Sequence, residues 1–321
     1  MTNLANILEQ DLTLAAADRA LEAKSLLEKP RGYLGMSSIG DSCERKLWYS
    51  FRWCGREEFD AVTLKRFADG HRTEDLVIDR LKMVEGLDIV ATLPDGGQIR
   101  IVDHDGHFSG HLDGTIVGIL QAPKTPHVLE VKCVSEKKMT ELKKAVSDLG
   151  EKMALKKWNP VYYGQGQAYM HYMNYTRHYM VVATPGGRDW ISVRTDYDPA
   201  YALQIVNKAK RIIDAQEPLE KISQTPTWYE CKWCHFSGIC HEQEMPDRSC
   251  RNCVHSTPIE NAQWHCARFG EILSLEKQLE ACPCHVFIPK LIPAEIQSAD
   301  EEKNTITYKF SDGTIWTDGE R

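Results

Sequence analysis

The sequence has no run approaching the ~18 uninterrupted apolar residues that a membrane helix needs, so a soluble protein with no membrane partner is expected. It also has no surplus of positive charge. A formal net charge of -7 argues against a protein that coats nucleic acid nonspecifically, because phosphate binding is driven by cations. Internal repeats and low-complexity tracts are lacking, which excludes solenoids and disordered arrays. Met1 to Gln10 lacks the basic start and apolar run of a secretory signal, so the reducing cytoplasm is expected and cysteines are read first as thiolates. What remains is a chain of 321 residues, 42% apolar and 26% charged, enough for one substantial core and a small appended module.

Residues 3 to 28 alternate at helical spacing and stop before Pro30. Asp41 and Glu44 suggest a capping box that puts Cys43 in the first turn of a short helix. A longer helix is predicted over 63 to 84, then strands at 88 to 92, 98 to 103, 111 to 119 and 127 to 134. Helix is predicted again over 136 to 157, from Asn159-Pro160 onward, and over 199 to 215, with a hairpin around Pro185-Gly186-Gly187. The last twenty residues read as another hairpin. Lys137, Lys138, Lys143, Lys144, Lys152, Lys156 and Lys157 form either a local basic track or a solvated helix face.

Side chains alternate faces along a strand, so Glu130 and Lys132 share one side while Leu129, Val131 and Cys133 share the other. By the same parity His111 and Asp113 share a face. If the two strands are antiparallel neighbours, Asp113 and Glu130 converge on one divalent ion. Leu64, Phe67, His71, Glu74, Ile78 and Leu81 make one helical face, which His71 and Glu74 interrupt. A buried carboxylate needs a partner, and a metal ion is a natural one for Glu74. Gly70 beside it suggests close approach of another backbone. Oxygen ligands suit Mg²⁺ or Mn²⁺, and the chemistry that follows is phosphodiester hydrolysis, with Lys132 orienting the attacking hydroxide or stabilising the transition state.

Gly70-x-x-x-Glu74, Gly110-x-x-Asp113, Glu130-x-Lys132 and Gln165-x-x-x-Tyr169 resemble, in order, the motifs of the RecB-like branch of the PD-(D/E)XK nucleases. The resemblance implies an α/β fold, a restriction-endonuclease-like mixed sheet flanked by helices. It implies metal ligands at Glu74, Asp113, Glu130 and the Val131 carbonyl, and a Gln165 and Tyr169 pair near DNA and active site. Gln167 competes with Gln165. Two departures stand out: Glu74 occupies a position that is often histidine, and Leu112 replaces the proline that names the superfamily.

Eight of the eleven cysteines lie between Cys231 and Cys284. Cys231, Cys234 and Cys240 lack a fourth ligand nearby, and Cys43 is the candidate. This arrangement resembles the iron-sulfur nucleases of the AddB and CRISPR-adaptation types, which implies a 4Fe-4S cluster stapling the two ends of the nuclease domain; zinc on the same cysteines is the alternative. Cys250-x2-Cys253 is a knuckle that Cys266 and Cys282 would complete as a zinc site in a C-terminal zinc-ribbon-like module, with Cys284, His285, His255 and His265 competing for the second half. Cys54 and Cys133 read as core residues.

The expected organisation is a nuclease domain over 1-245 and a Cys-rich module with a C-terminal hairpin over 246-321. The expected activity is that of a Mg²⁺- or Mn²⁺-dependent DNA exonuclease or end-processing nuclease similar to those of phage recombination and repair. DNA ends or single strands are the substrate, with a recombination or single-strand-binding protein as a further partner. Trp158, Tyr162, Tyr163, Tyr172, Arg177 and His178 are candidates for strand contact. The alternatives are a structure-specific endonuclease, a CRISPR spacer-processing nuclease and, from another class, an inactive iron-sulfur and zinc DNA-binding scaffold.

Overall fold

A computed structural model describes residues 11–319. Helix α1 (Leu12–Leu26) opens on Asp11, whose carboxylate accepts from the amides of Thr13 and Leu14. The remainder of the helix expected from residue 3 lies outside the described residues. After the short strand β1 (Leu34–Gly35) comes α2 (Glu44–Phe51), whose cap is Cys43 itself: its thiol accepts from the Lys46 amide. Asp41 instead accepts from the Cys43 amide at 2.9 Å and pairs with Lys46, so the expected capping box is replaced by a side-chain turn one step earlier.

Helix α3 (Ala61–Lys82) buries Thr73, Val77 and Ile78 but leaves Phe67 47% exposed, and His71 is exposed too. The expected continuous apolar face is thus core only in its C-terminal half. The N-terminal half reaches past the sheet, where Phe67 packs on Phe59 and Lys65 pairs with Asp18 of α1. A Cβ at Gly70 would meet open space, so no backbone approaches there.

Strands β2 (Asp88–Val90), β3 (Ile99–Asp103), β4 (Phe108–Leu112), β5 (Gly114–Val117) and β6 (His127–Cys133) follow. The single strand expected over 111 to 119 is two strands of different sheets, broken at Asp113. A Cβ on Gly114 would meet the Val90 carbonyl oxygen at 2.8 Å, so the chain can cross against β2 only at a glycine. The helix expected over 136 to 157 is likewise two, α4 (Glu136–Leu149) and α5 (Glu151–Trp158), separated by Gly150 at φ 78°. Asn159 then caps α6 (Pro160–Met173), with Pro160 in its first turn where no amide is needed.

Strands β7 (Arg177–Ala183) and β8 (Trp190–Asp196) complete a five-stranded mixed sheet in the order β2-β5-β6-β7-β8. Only β6 and β7 pair in parallel within it, and α4 to α6 form the crossover that a parallel pair requires. Alternation along β7 divides the core: Tyr179, Val181 and Ala183 pack with Val77 and Ile78 of α3, while Met180 and Val182 pack with Met139, Leu142 and Leu155 on the other face. The sheet is therefore covered by helices on both sides. A second sheet, β1-β4-β3, adjoins it through Asp113.

Helix α7 (Pro199–Asp214) leads to two short helices, α8 (Tyr229–Lys232) and α9 (Ser237–His241). Strands β9 (Ser256–Ile259), β10 (Gln263–Cys266) and β11 (Glu271–Ile272) form an antiparallel sheet followed by α10 (Leu275–Glu280). The C-terminal hairpin, β13 (Thr305–Lys309) and β14 (Ile315–Gly319), gains a third strand, β12 (Glu295–Asp300). The core does not stop at residue 246: Trp264, Leu273, Ile288 and Leu291 belong to one buried cluster with Trp48, Phe51 and Phe108. Two buried guanidiniums join the segments. Arg52 donates to the carbonyls of Arg251, Ser256 and Ala215, and Arg251 lies 3.7 Å from the Trp53 ring centroid. Among the described residues no helix is long and apolar enough to cross a membrane.

Candidate active site

The register that pairs Gly114 with Leu129 sets Asp113 beside Glu130 across neighbouring antiparallel strands. Asp113 Oδ2 accepts from the Val131 amide at 2.7 Å, which fixes that carboxylate at the break between the two sheets. Glu130 is 1% exposed, and the Lys132 ammonium, from the same face of β6, sits on its Oε1. The same oxygen accepts from Gln165 Nε2 at 2.8 Å, and Lys132 also reaches the Val131 carbonyl at 3.3 Å. Tyr169, one turn beyond Gln165 on α6, donates to the His111 carbonyl at 2.8 Å. A Cβ at Gly110 would meet the Tyr169 ring at 2.6 Å, so this glycine is what lets the ring lie on β4.

Glu74, Asp113, Glu130, Lys132, Gln165 and Tyr169 line one open cleft of about 430 Å³, together with Arg31, Tyr33, His71 and His111. Glu74 hydrogen-bonds Asp113; burial first, then the Asp113 charge, raises its carboxyl to about 7. Burial raises Glu130 to about 8 against the opposing pull of Lys132. Burial also lowers His111, assisted by the charges of Arg100 and Arg31. Gln167 faces away, bonding the Asp196 carbonyl and the Asp198 amide. Of the two candidate glutamines, Gln165 is the one at the cleft.

The lysine run reads differently in three dimensions. Lys138, Lys143, Lys144, Lys152 and Lys156 are paired with Glu141, Asp189, Asp148, Asp196 and Asp198, which makes them a solvated helix surface rather than an open basic track. Among the proposed strand-contacting residues, Tyr163 and His178 are buried, and Tyr172 is held by Asp103. Arg31 and Arg100, which the sequence reading passed over, both stand within 6 Å of the Tyr33 ring, which lines the carboxylate cleft. Arg31 precedes Gly32 in a connection and Arg100 precedes Ile101 in a strand, and nothing in their local pattern marks them.

Cys43, Cys231, Cys234 and Cys240 line a second cleft of about 440 Å³ between the cap of α2 and the α8–α9 segment. Burial raises the thiols of Cys231, Cys234 and Cys240, and the charges of neighbouring cysteines, Cys43 among them, raise them further. Cys250, Cys253, Cys266 and Cys282 are likewise mutual neighbours; burial, then the other cysteines, pushes Cys250 up to about 12. His255 is engaged by Asn304 at 2.5 Å, and His285 by the Ser249 carbonyl and Asn252. Cys54 is buried, whereas Cys133 is only half-buried. Among the described residues, no three His, Cys, Asp or Glu side chains are grouped so that they could hold a metal ion.

No family model matches this chain, and no curated protein matches it. Among solved structures it is similar to the alkaline exonuclease LHK-Exo from Laribacter hongkongensis at 17% identity, over 60% of this chain and 90% of that one, with a TM-score of 0.39. The same exonuclease in complex with dAMP matches at 17% identity over 56% and 86%, with a TM-score of 0.38. SSO0001 matches at 16% identity over 72% and 97%, with a TM-score of 0.39.

Proposed function

We propose that the chain is a metal-dependent DNA nuclease that processes ends or single strands in recombination or repair. One observation carries the reading: Glu74 of α3, Asp113 at the break between β4 and β5, and Glu130 of β6 meet Lys132 in one open cleft. Burying carboxylates side by side is unfavourable unless a cation compensates, and the raised Glu74 and Glu130 carboxyls record that cost.

The residues suit Mg²⁺ or Mn²⁺. Among the described residues, Glu130 Oε2 and Gln165 Oε1 are buried without a hydrogen-bond partner, and the donors are hard oxygens, to which the Val131 carbonyl would add. When bound, such an ion supplies an activated water and offsets charge on the scissile phosphate. Lys132 would move from Glu130 to the phosphate or the attacking oxygen, and Gln165 would keep Glu130 oriented. The four thiols at Cys43, Cys231, Cys234 and Cys240 suit a 4Fe-4S cluster by donor type and shared cleft. Cys250, Cys253, Cys266 and Cys282 suit Zn²⁺, since His255 and His285 are engaged elsewhere.

The test is digestion of end-labelled single- and double-stranded DNA, linear and circular, with and without Mg²⁺ or Mn²⁺. Metal-dependent loss of label from linear DNA is expected, and an Asp113→Ala chain should be inert. Cleavage that survives Asp113→Ala, or none under any metal, refutes the reading. Iron, sulfide and zinc analysis of anaerobically purified protein tests the two cysteine sites.

A further inference from the structure

The cleft that should receive a polyanion is lined by carboxylates: Glu74, Asp75, Asp113 and Glu130 surround a single lysine. A phosphodiester strand approaching it is repelled unless cations stand at the rim, and the helical lysines nearby are largely paired off. Arg31 lines the cleft, and Arg100, bonded to the Ser109 hydroxyl and paired in register with His111, stands beside two of its lining residues. Arg31 lies 5.5 Å and Arg100 lies 5.9 Å from the Tyr33 ring centroid. Among the described residues neither has a carboxylate partner: Arg31 bonds the Ser37 hydroxyl at 3.5 Å, and Arg100 bonds that of Ser109 at 3.1 Å.

Local structure builds this pair. Trp53 Nε1 donates to the Arg31 carbonyl at 2.9 Å and pins that backbone. Arg31 then lies over Gly35, where any Cβ would collide with the guanidinium. Arg100 is the register partner of His111 in the β3–β4 pair, so the two share a sheet face two residues before Asp113. Tyr33 in turn lies 6.4 Å from the His111 ring.

We infer that Arg31 and Arg100, braced on Tyr33, form a phosphate-binding subsite that holds an internucleotide phosphate of a DNA single strand next to the one being cut. The inference rests on the nuclease reading and deepens it. Guanidinium forks match phosphate oxygens, and an aromatic ring in contact with both limits the rotamer freedom lost on binding. The Tyr33 and His111 rings are half-buried and exposed respectively, and offer a surface for an unpaired base that a duplex would keep stacked inside.

The experiment measures binding of a fluorescent single-stranded 20-mer to the full chain carrying Asp113→Ala, at several salt concentrations. Arg31→Gln and Arg100→Gln are each added to it. Each should lower the slope of log affinity against log salt by about 0.7, the value for one lost single-strand phosphate contact, and the two should add. With Asp113 intact, each variant should raise KM several-fold and leave kcat within about threefold. Arg→Lys at either position should restore the salt slope. An unchanged slope in soluble variants, or a loss confined to kcat, overturns the inference. If Arg31→Gln does not fold, Arg100→Gln, on an exposed strand face, decides alone. A parent chain that cuts DNA while the variants keep its salt slope refutes the subsite only. One that binds strands with the expected slopes but never cuts refutes the nuclease reading only. A parent that neither binds nor cuts refutes both.

Discussion

Gln165 Nε2 donates to Glu130 Oε1 at 2.8 Å, while the other oxygen of the same carboxylate is buried with no hydrogen-bond partner among the described residues. One oxygen is thus oriented by α6 and the other is left for a ligand. Gln165→Leu should lower the metal-dependent rate about 10- to 100-fold, the range for losing a group that orients a ligand, and raise the Mg²⁺ concentration needed for half-activity. Gln167→Leu, which cuts bonds to Asp196 and Asp198 instead, should lower the melting temperature without changing the Mg²⁺ requirement. Equal effects of the two substitutions on the Mg²⁺ titration would contradict the assignment.

Lys132→Ala should reduce kcat by roughly 10²- to 10³-fold, the range for removing one donor that stabilises transition-state charge, while strand binding persists. The ammonium lies against Glu130, so its loss also removes the counter-charge that opposes the rise of that carboxyl. Strand anisotropy and end-label release, measured on one preparation, separate the two effects. Cleavage at the parental rate would remove Lys132 from the chemistry.

Much of this cleft was legible because strand parity is rigid: with period two, Glu130 and Lys132 had to share a face, and the register followed once β5 and β6 paired. Asn159-Pro160 was equally legible, since a cap and a first-turn proline are local. What escaped was decided at a distance. The break at Asp113 depends on β2 passing under Gly114, and the pairing of the lysine run depends on carboxylates that lie more than forty residues away for Lys143 and Lys152. Helical periodicity predicted a buried face through Phe67, but periodicity does not say where the sheet ends. The choice of Gln165 over Gln167 needed the tilt of α6 against β6, which a two-residue spacing on a helix leaves open.

Acid stability should depend on His178. Both ring nitrogens are buried with no partner among the described residues, and burial, then the Lys132 and His127 charges, lowers its pKa to about 3. An unfolded histidine titrates near ~6.5. With the folded value depressed, its contribution is full above the unfolded value and is lost as pH falls from there toward the folded one. His178→Leu should therefore narrow the stability gap to wild type between about pH 6.5 and 4.5, a window in which the carboxylates common to both proteins cancel. Denaturant midpoints across that range, equally spaced for both proteins at every pH, would show that His178 is not the group responsible.

A pair of glycines seats the loop before Cys43 on α6. A Cβ on Gly40 would fall 2.5 Å from the Val161 Cα and 2.7 Å from the Pro160 carbonyl oxygen, and one on Gly164 would fall 2.8 Å from the Gly40 Cα. The loop leading to Cys43 therefore lies flush on the start of α6, the helix that carries Gln165 and Tyr169. Overpacking at such a contact costs typically about 1–3 kcal/mol, and here the strain has two directions to go: into the Cys43 loop or into α6. Gly40→Ala should lower the melting temperature and, on the proposed cluster and nuclease reading, reduce both iron content per chain and metal-dependent cleavage. Gly70→Ala is the opposite case. Its Cβ meets open space on α3, and replacing a helical glycine there should stabilise by up to about 1 kcal/mol. Melting curves, iron analysis and end-label release on the two variants test the coupling: a Gly40→Ala chain with parental iron and parental activity would mean that the loop and α6 accommodate the methyl group independently.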